Sequence, residues 1–163
     1  MSRIVVIGGG YAGLACLIEL AKKAPQFELY LIDGNAEHCK ITNLHKTFAN
    51  PIEEFRVPYA QLAQRFNFSF HQHQITFTEE DLQSWQQKKA LPLGNIELHF
   101  DYLVIATGAA PALQREEERV FGLKTLVDGR GPALLEEWSK TSQERQLNIS
   151  LIGAGATGIQ VLF

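Results

Sequence analysis

Gly8, Gly10 and Gly13 stand in the pattern G-x-G-x-x-G, between an apolar run, "RIVVI", and a segment with helical periodicity, "LACLIEL". Each glycine has a physical task in that setting. The first permits a tight turn out of a strand, at backbone angles that a side chain would block. The second lets the backbone come close to a pyrophosphate, and the third lets the following helix pack against the strand. That helix, opening at Tyr11 and Ala12, directs N–H groups and the positive end of its dipole at the same place. Asp33 follows about twenty residues after Gly13, at the end of the next apolar run, where a carboxylate accepts hydrogen bonds from a ribose diol. Glycines also serve ordinary turns, but here strand, helix and acid all fall at the right distances, so the set reads as a dinucleotide site. A carboxylate in that position disfavours a 2′-phosphate. The ligand is therefore FAD or NAD rather than NADP, and these residues do not choose between the two.

Gly153, Gly155 and Gly158 repeat the spacing in the closing stretch "ISLIGAGATGIQVLF". A site of this kind needs a helix, a second strand and a second acid beyond the glycines. The acid would lie past the last residue, so this second turn is expected to be an incomplete site.

The elements that must carry these residues follow from the hydrophobic period. Residues 3–8 are a continuous apolar run, of the kind buried on both faces of a parallel sheet. From 11 to 23 the period changes: Leu14, Leu17, Ile18 and Ala21 share one helical face, Glu19, Lys22 and Lys23 lie outside it, and Pro25 ends the helix. A second strand spans 27–33. Strand, helix and strand within about thirty residues make a βαβ unit with a right-handed crossover. Farther on, a helix is expected from about Pro58 to Arg65, with the proline in its first turn. "NFSFHQHQITF" alternates as one or two strands, "EEDLQSWQQKKALPLG" is polar and ambiguous, and "NIELHF" reads as a strand. "YLVIATG" is a second fully apolar strand, and its small-residue turn at Thr107 and Gly108 allows close backbone approach. "AAPALQREEERV" reads as a loop whose charge run is a solvated face. An amphipathic helix follows at 131–146, with Pro132 near its start, and then a buried strand at 147–153. The expected fold is α/β: a Rossmann-like, three-layer domain whose central parallel sheet uses strands near 3–8, 27–33 and 101–106. A small antiparallel piece from about 68–100 covers one face, and residues 149–163 begin a second unit of the same kind.

With 163 residues, the chain suits one domain, or one domain and a fragment of another. Its 45% hydrophobic and 20% charged residues are those of a soluble, core-forming protein. A net charge of −3 gives no reason to expect nucleic acid or an anionic membrane as partner. The apolar runs are too short to span a bilayer, and "RIVVIGGG" is too short and glycine-broken for a signal-peptide core, so a cytoplasmic location is the default. Cys16 and Cys39 form neither a disulfide framework nor a metal-ligand set, and His71 and His73 share a strand face with no third ligand, so no metal is expected. His38 and His45 read as loop histidines on the surface, with contact to a cofactor as the alternative. Asp101 reads as a polar cap to its strand, and Trp85 and Trp138 as packing residues.

"VVIGGGYAGL" at the start, "DYLVIATGAAP" at 101–111 and "ISLIGAGATGIQ" at 149–160, in that order and spacing, resemble the two-dinucleotide flavoproteins, the pyridine nucleotide-dependent FAD oxidoreductases. The resemblance implies FAD on Gly8, Gly10, Tyr11, Ala12, Gly13, Asp33, Thr107 and Gly108, and NADH on Gly153, Gly155 and Gly158. It implies an FAD-binding portion at 1–110, a connecting segment with a helix at 111–148, and the first strand and turn of an NAD(H) domain at 149–163. Gln160 departs from the glutamate many members carry there. "GYAGL", "LIDGNAEH" and "FGLKTLVDG" look most like type II NADH dehydrogenases, which pass electrons from NADH through FAD to a quinone. In that subfamily the complete enzyme is peripheral on the inner face of a membrane. Thr42 and Asn43 occupy a segment that passes near the isoalloxazine ring in the family. No acid–base residue is required, and none is assigned.

The resemblance also implies that this chain is the N-terminal part of a longer enzyme and too short to be active alone. An unpaired apolar strand at 149–153 would be a sticky edge, so self-association is expected. Two alternatives stay open. Some members use cysteines shortly after the ribose acid, and a Cys39 thiolate beside Lys40 would make a single-cysteine disulfide or peroxide reductase. The plainer reading is a semi-buried thiol, and two-cysteine chemistry is excluded because its second cysteine is absent. The other alternative is a nucleotide-binding module with no catalysis.

Overall fold

The structure, a computed structural model, describes residues 2–109, 120–144, 146–153 and 155–162. In chain order the elements are β1 (Arg3–Ile7), α1 (Tyr11–Lys23), β2 (Glu28–Asp33), β3 (Glu37–Cys39), β4 (Arg56–Pro58), α2 (Tyr59–Phe66), β5 (Ser69–Gln72) and α3 (Glu79–Lys88). Then come β6 (Ala90–Leu93), β7 (Ile96–His99), β8 (Tyr102–Ile105), α4 (Leu123–Val127), α5 (Gly131–Glu144) and α6 (Ala156–Leu162). Short 3-10 helices lie at Ile41–Phe48 and Ile52–Phe55. Two compact units are formed, Met1–His38 with Val57–Ala109, and Cys39–Arg56 with Ala110–Phe163.

The first unit is a parallel sheet in the order β5-β2-β1-β8. β1 is apolar at every inner position because both of its faces are covered. Ile4 and Val6 pack with Leu14 and Leu17 of α1, while Val5 and Ile7 pack with Trp85 and Leu91 on the other side. Leu17 is fully enclosed, and burial of such a side chain contributes about 2 kcal/mol. α1 matches its predicted bounds. Its last turn carries Lys22 and Lys23 against the negative end of the dipole, and Lys23 pairs with Glu19 at 2.9 Å, four residues earlier.

The face opposite α1 is covered by α3 and the antiparallel pair β6–β7, with Trp85, Leu93, Leu98 and Phe100 in one core. The ambiguous polar stretch is therefore a helix followed by a hairpin. Its start is a capping box: the Asp81 N–H donates to Thr78 Oγ1 at 3.2 Å, and the Thr78 N–H donates to Asp81 Oδ2 at 2.8 Å. These bonds from Thr78, backbone first and hydroxyl second, hold the Asp81 carboxyl below the ordinary aspartate range.

One expectation is corrected in this unit. β5 does not belong to the antiparallel piece but extends the parallel sheet beside β2, Tyr30 opposite Ser69 and Asp33 opposite Gln72. A strand that pairs with β2 meets the α1 core on one face, which its aromatic alternation suits. The antiparallel piece is thus confined to Ala90–His99. β8 forms where expected but at the edge of the sheet, so Tyr102 and Ile105 are 58% and 43% exposed.

The second unit is helical. Leu44, Ile52, Phe55 and Leu126 form its core. Thr47 is fully buried, its hydroxyl donating to the Leu44 carbonyl at 2.6 Å. Trp138 of α5 packs between the rings of Phe48 and Phe121, each 5.9 Å away. Most of the charged loop expected at 109–120 lies outside the described residues. Residues 147–153 were expected as a buried strand and form none: Ile149 and Ile152 are exposed, Ile152 by 98%. A strand exists through its neighbour's backbone groups, and no strand runs beside this segment among the described residues. The glycine turn and helix that follow it do form. Among the described residues no helix is long and apolar enough to cross a membrane.

Candidate functional site

The predicted residues of the first glycine pattern gather at the carboxyl ends of β1, β2 and β8. The Gly8 N–H donates to the Ile32 carbonyl and the Ala106 N–H to the Ile7 carbonyl, both at 2.8 Å, so the three strand ends are bonded side by side. From β1 the chain runs to β2 and β5 on one side, and β8 lies on the other. Open α/β sheets bind ligands where the strand order reverses in this way.

The three glycines differ in what requires them. Gly8 has φ +102°, and a Cβ there would overlap the Ala106 carbonyl and lie 2.9 Å from the Thr107 nitrogen. A Cβ on Gly13 would overlap the Gly8 carbonyl oxygen. These two glycines are demanded by the turn itself. Gly10 is not: its φ is −67°, and a Cβ there would meet no protein atom within 4 Å. Among the described residues nothing crowds this position, and the space its missing side chain leaves opens at the start of α1.

α1 also begins without a side-chain cap, whereas α3 has a complete capping box. The first turn of any helix carries N–H groups that no carbonyl of the helix can reach. In α1 these groups, with the dipole behind them, face the exposed Gly10 and Ala12. Tyr11 is 45% exposed, its ring edge-on to His38 at 4.8 Å. Asp33 closes the turn: Oδ2 accepts from the Gly9 N–H at 2.6 Å, and Oδ1 accepts from the Asn35 backbone and side-chain N–H groups at 2.7 and 3.1 Å. A carboxylate has about four acceptor positions, so it keeps capacity for a ribose hydroxyl. Thr107 and Gly108 follow β8 as an exposed turn, Gly108 at φ +70°.

The second pattern has the same internal geometry. Gly153 has φ +115°, a Cβ on Gly158 would overlap the Gly153 carbonyl, and a Cβ on Gly155 would meet nothing within 4 Å. The pairing of first with third glycine, and the open second, are thus set by local sequence in both turns.

Two residues at the first turn were not assigned from the sequence. Tyr59, buried at the start of α2, donates its hydroxyl to the Gly9 carbonyl at 2.8 Å. His38 was expected on the surface but is buried, with Nδ1 3.0 Å from the same carbonyl. The extra glycine between Gly8 and Gly10 was the available signal, since a Cβ on Gly9 would overlap the Tyr59 ring. Cys39 is half-buried against the Leu44 core of the second unit. Thr42, Asn43 and His45 lie in the 3-10 helix Ile41–Phe48. His45, also expected as a surface residue, has a buried Nδ1 with no hydrogen-bond partner among the described residues.

Parallel strands joined through a glycine turn, with an acid at the end of the second strand, define a Rossmann-type α/β unit. The family model for pyridine nucleotide-disulphide oxidoreductases matches residues 2–161, and the chain belongs to that family. A type II NADH:quinone oxidoreductase of Staphylococcus aureus (strain NCTC 8325 / PS 47) is 25% identical over 98% of the chain. The chain spans 42% of that relative's length. Similar folds are found in the sulfide:quinone oxidoreductase of Aquifex aeolicus (TM-score 0.69, 22% identity, 86% of this chain and 33% of that one). They also include the water-forming NADH oxidase of Lactobacillus brevis bound to NADH (TM-score 0.67, 17% identity, 99% and 36%) and NDH2 of Plasmodium falciparum in complex with NADH (TM-score 0.61, 18% identity, 98% and 36%).

Proposed function

We propose that the first glycine turn is the FAD site of an NADH-oxidising flavoprotein, that the second turn opens its NADH site, and that a quinone accepts the electrons in the complete enzyme. The observation that carries the reading is Gly10. Fold requirements explain Gly8 and Gly13, whereas no described residue crowds Gly10, and a glycine there leaves the backbone open to the close approach of a ligand. The residues present fit FAD: N–H groups of α1 for the pyrophosphate, Asp33 for the ribose, and the Thr107–Gly108 turn beside them.

Bound FAD supplies the redox chemistry, accepting a hydride from NADH and passing the electrons on. The work of the chain is to bind and orient. The start of α1 neutralises phosphate charge, and Asp33 fixes the adenosine end while excluding a 2′-phosphate. Gly153, Gly155 and Gly158 begin the same arrangement for the nicotinamide dinucleotide. On this reading residues 1–110 are the FAD-binding portion, 111–148 connect, and 149–163 enter the NAD(H) portion. Names of relatives that act on quinones support a quinone acceptor and, with it, work at a membrane surface.

FMN lacks the adenylate half that these residues would grip. Calorimetric titration of the chain with FAD and with FMN tests the reading: saturable binding of FAD alone supports it. Equal binding of both, or of neither, contradicts it.

A further inference from the structure

We propose that Tyr59 and His38 are positioning residues for the pyrophosphate-binding turn, holding the Gly9 carbonyl on the protein side so that the Gly10 N–H faces the ligand. This rests on the FAD reading above.

In a planar trans peptide the C=O and the following N–H point in opposite directions. Whatever fixes the Gly9 oxygen therefore aims the Gly10 N–H. Two buried donors reach that oxygen, the Tyr59 hydroxyl at 2.8 Å and His38 Nδ1 at 3.0 Å. A carbonyl can only accept, so His38 carries its proton on Nδ1. The Gly9 N–H is held by Asp33 at 2.6 Å, and the two peptide groups of Gly9 are thereby tied on both sides.

Tyr59 is itself firmly placed. Its N–H donates to the Ala36 carbonyl at 3.0 Å, and its ring lies 5.0 Å from that of Phe70. The ring also fills the space a side chain on Gly9 would need. This explains why the residue between the first two motif glycines is a glycine as well, at a position the spacing pattern leaves open. Without the two donors, the Gly9–Gly10 peptide is free to turn over, which would present a carbonyl oxygen to the phosphates. Only the unturned fraction would then bind, and apparent affinity falls with that fraction.

The test uses the full chain with ¹³C-carbonyl glycine label, in wild type, Tyr59→Phe, His38→Leu, His38→Asn and the Tyr59→Phe/His38→Leu double variant. Phe keeps the buried ring, and Asn keeps a donor near the Nδ1 position. The Gly9 carbonyl resonance should move upfield in Tyr59→Phe and His38→Leu, farthest in the double variant, and return toward wild type in His38→Asn. FAD affinity should fall by roughly tenfold in the double variant and by less in His38→Leu, a loss that His38→Asn should largely restore. An unmoved Gly9 resonance with unchanged affinity overturns the proposal, as does a lowered melting temperature with both of these unchanged. If the wild-type chain binds no FAD, the cofactor role falls with the reading it rests on, while the carbonyl resonance still decides whether the two side chains set the turn.

Discussion

The α-carbon of Gly13 lies against the carbonyl oxygen of Gly8, so closely that a Cβ on Gly13 would overlap it. The same relationship holds between Gly158 and Gly153. In each case the first turn of the helix folds back over the end of the turn before it. Gly13→Ala must push α1 away from β1, opening the Ile4, Leu14 and Leu17 core. We expect a loss of about 3 kcal/mol or more, read by urea denaturation. Unchanged stability would contradict the contact.

In the proposed site Asp33 would join the turn to the adenosine end of FAD. Asp33→Ala removes the partner of the Gly9 N–H and the acceptor offered to a ribose. Hydrogen bonds to a charged group contribute about 1.5–3 kcal/mol, so FAD affinity should fall by roughly ten- to a hundredfold. Calorimetry gives the comparison, and equal affinities would remove Asp33 from the site.

The α3 cap predicts an acid-sensitive element. The folded-state pKa of Asp81 is depressed, chiefly by the Thr78 N–H. Its contribution is therefore present above the ordinary aspartate pKa and lost as pH falls through the lower, folded-state value. Thr78→Ala should cost about 1 kcal/mol at neutral pH. The gap between Asp81→Asn and wild type should shrink in strongly acidic solution. A gap that is constant with pH would show that the carboxylate is not the cap.

Ile149, Leu151 and Ile152 are exposed on a segment without strand partners among the described residues. We expect the mass measured by light scattering to rise with concentration, and Ile152→Lys to reduce that rise. A monomeric mass at all concentrations would rule this association out.

Much of the first unit was legible because its signals are local or periodic. The continuous apolar run at Arg3–Ile7, the helical spacing from Tyr11 to Lys23 and the acid at Asp33 each report a constraint on neighbouring residues. The place of β5 was not legible, since alternation in "SFHQ" fits either sheet and only pairing with β2 decides. Helix α3 was missed because its polar face hid the Thr78–Asp81 box, a signal that stands in the sequence. The burial of His38 and the bond from Tyr59 were illegible for another reason. They depend on residues 29 and 50 positions from Gly9 meeting it in space. The strand expected at 147–153 failed on the same ground, because apolar residues fit a strand but a neighbour makes one.

Gly10 tests the central claim most directly, because the fold does not need it and the proposed ligand does. Wild type and Gly10→Val should melt within a few degrees of each other, since the new side chain meets no protein atom near its Cβ. Titrated with FAD, wild type should quench flavin fluorescence saturably and Gly10→Val should not. Saturable quenching of equal affinity in both would show that no pyrophosphate approaches this turn, and the assignment of the site would be wrong.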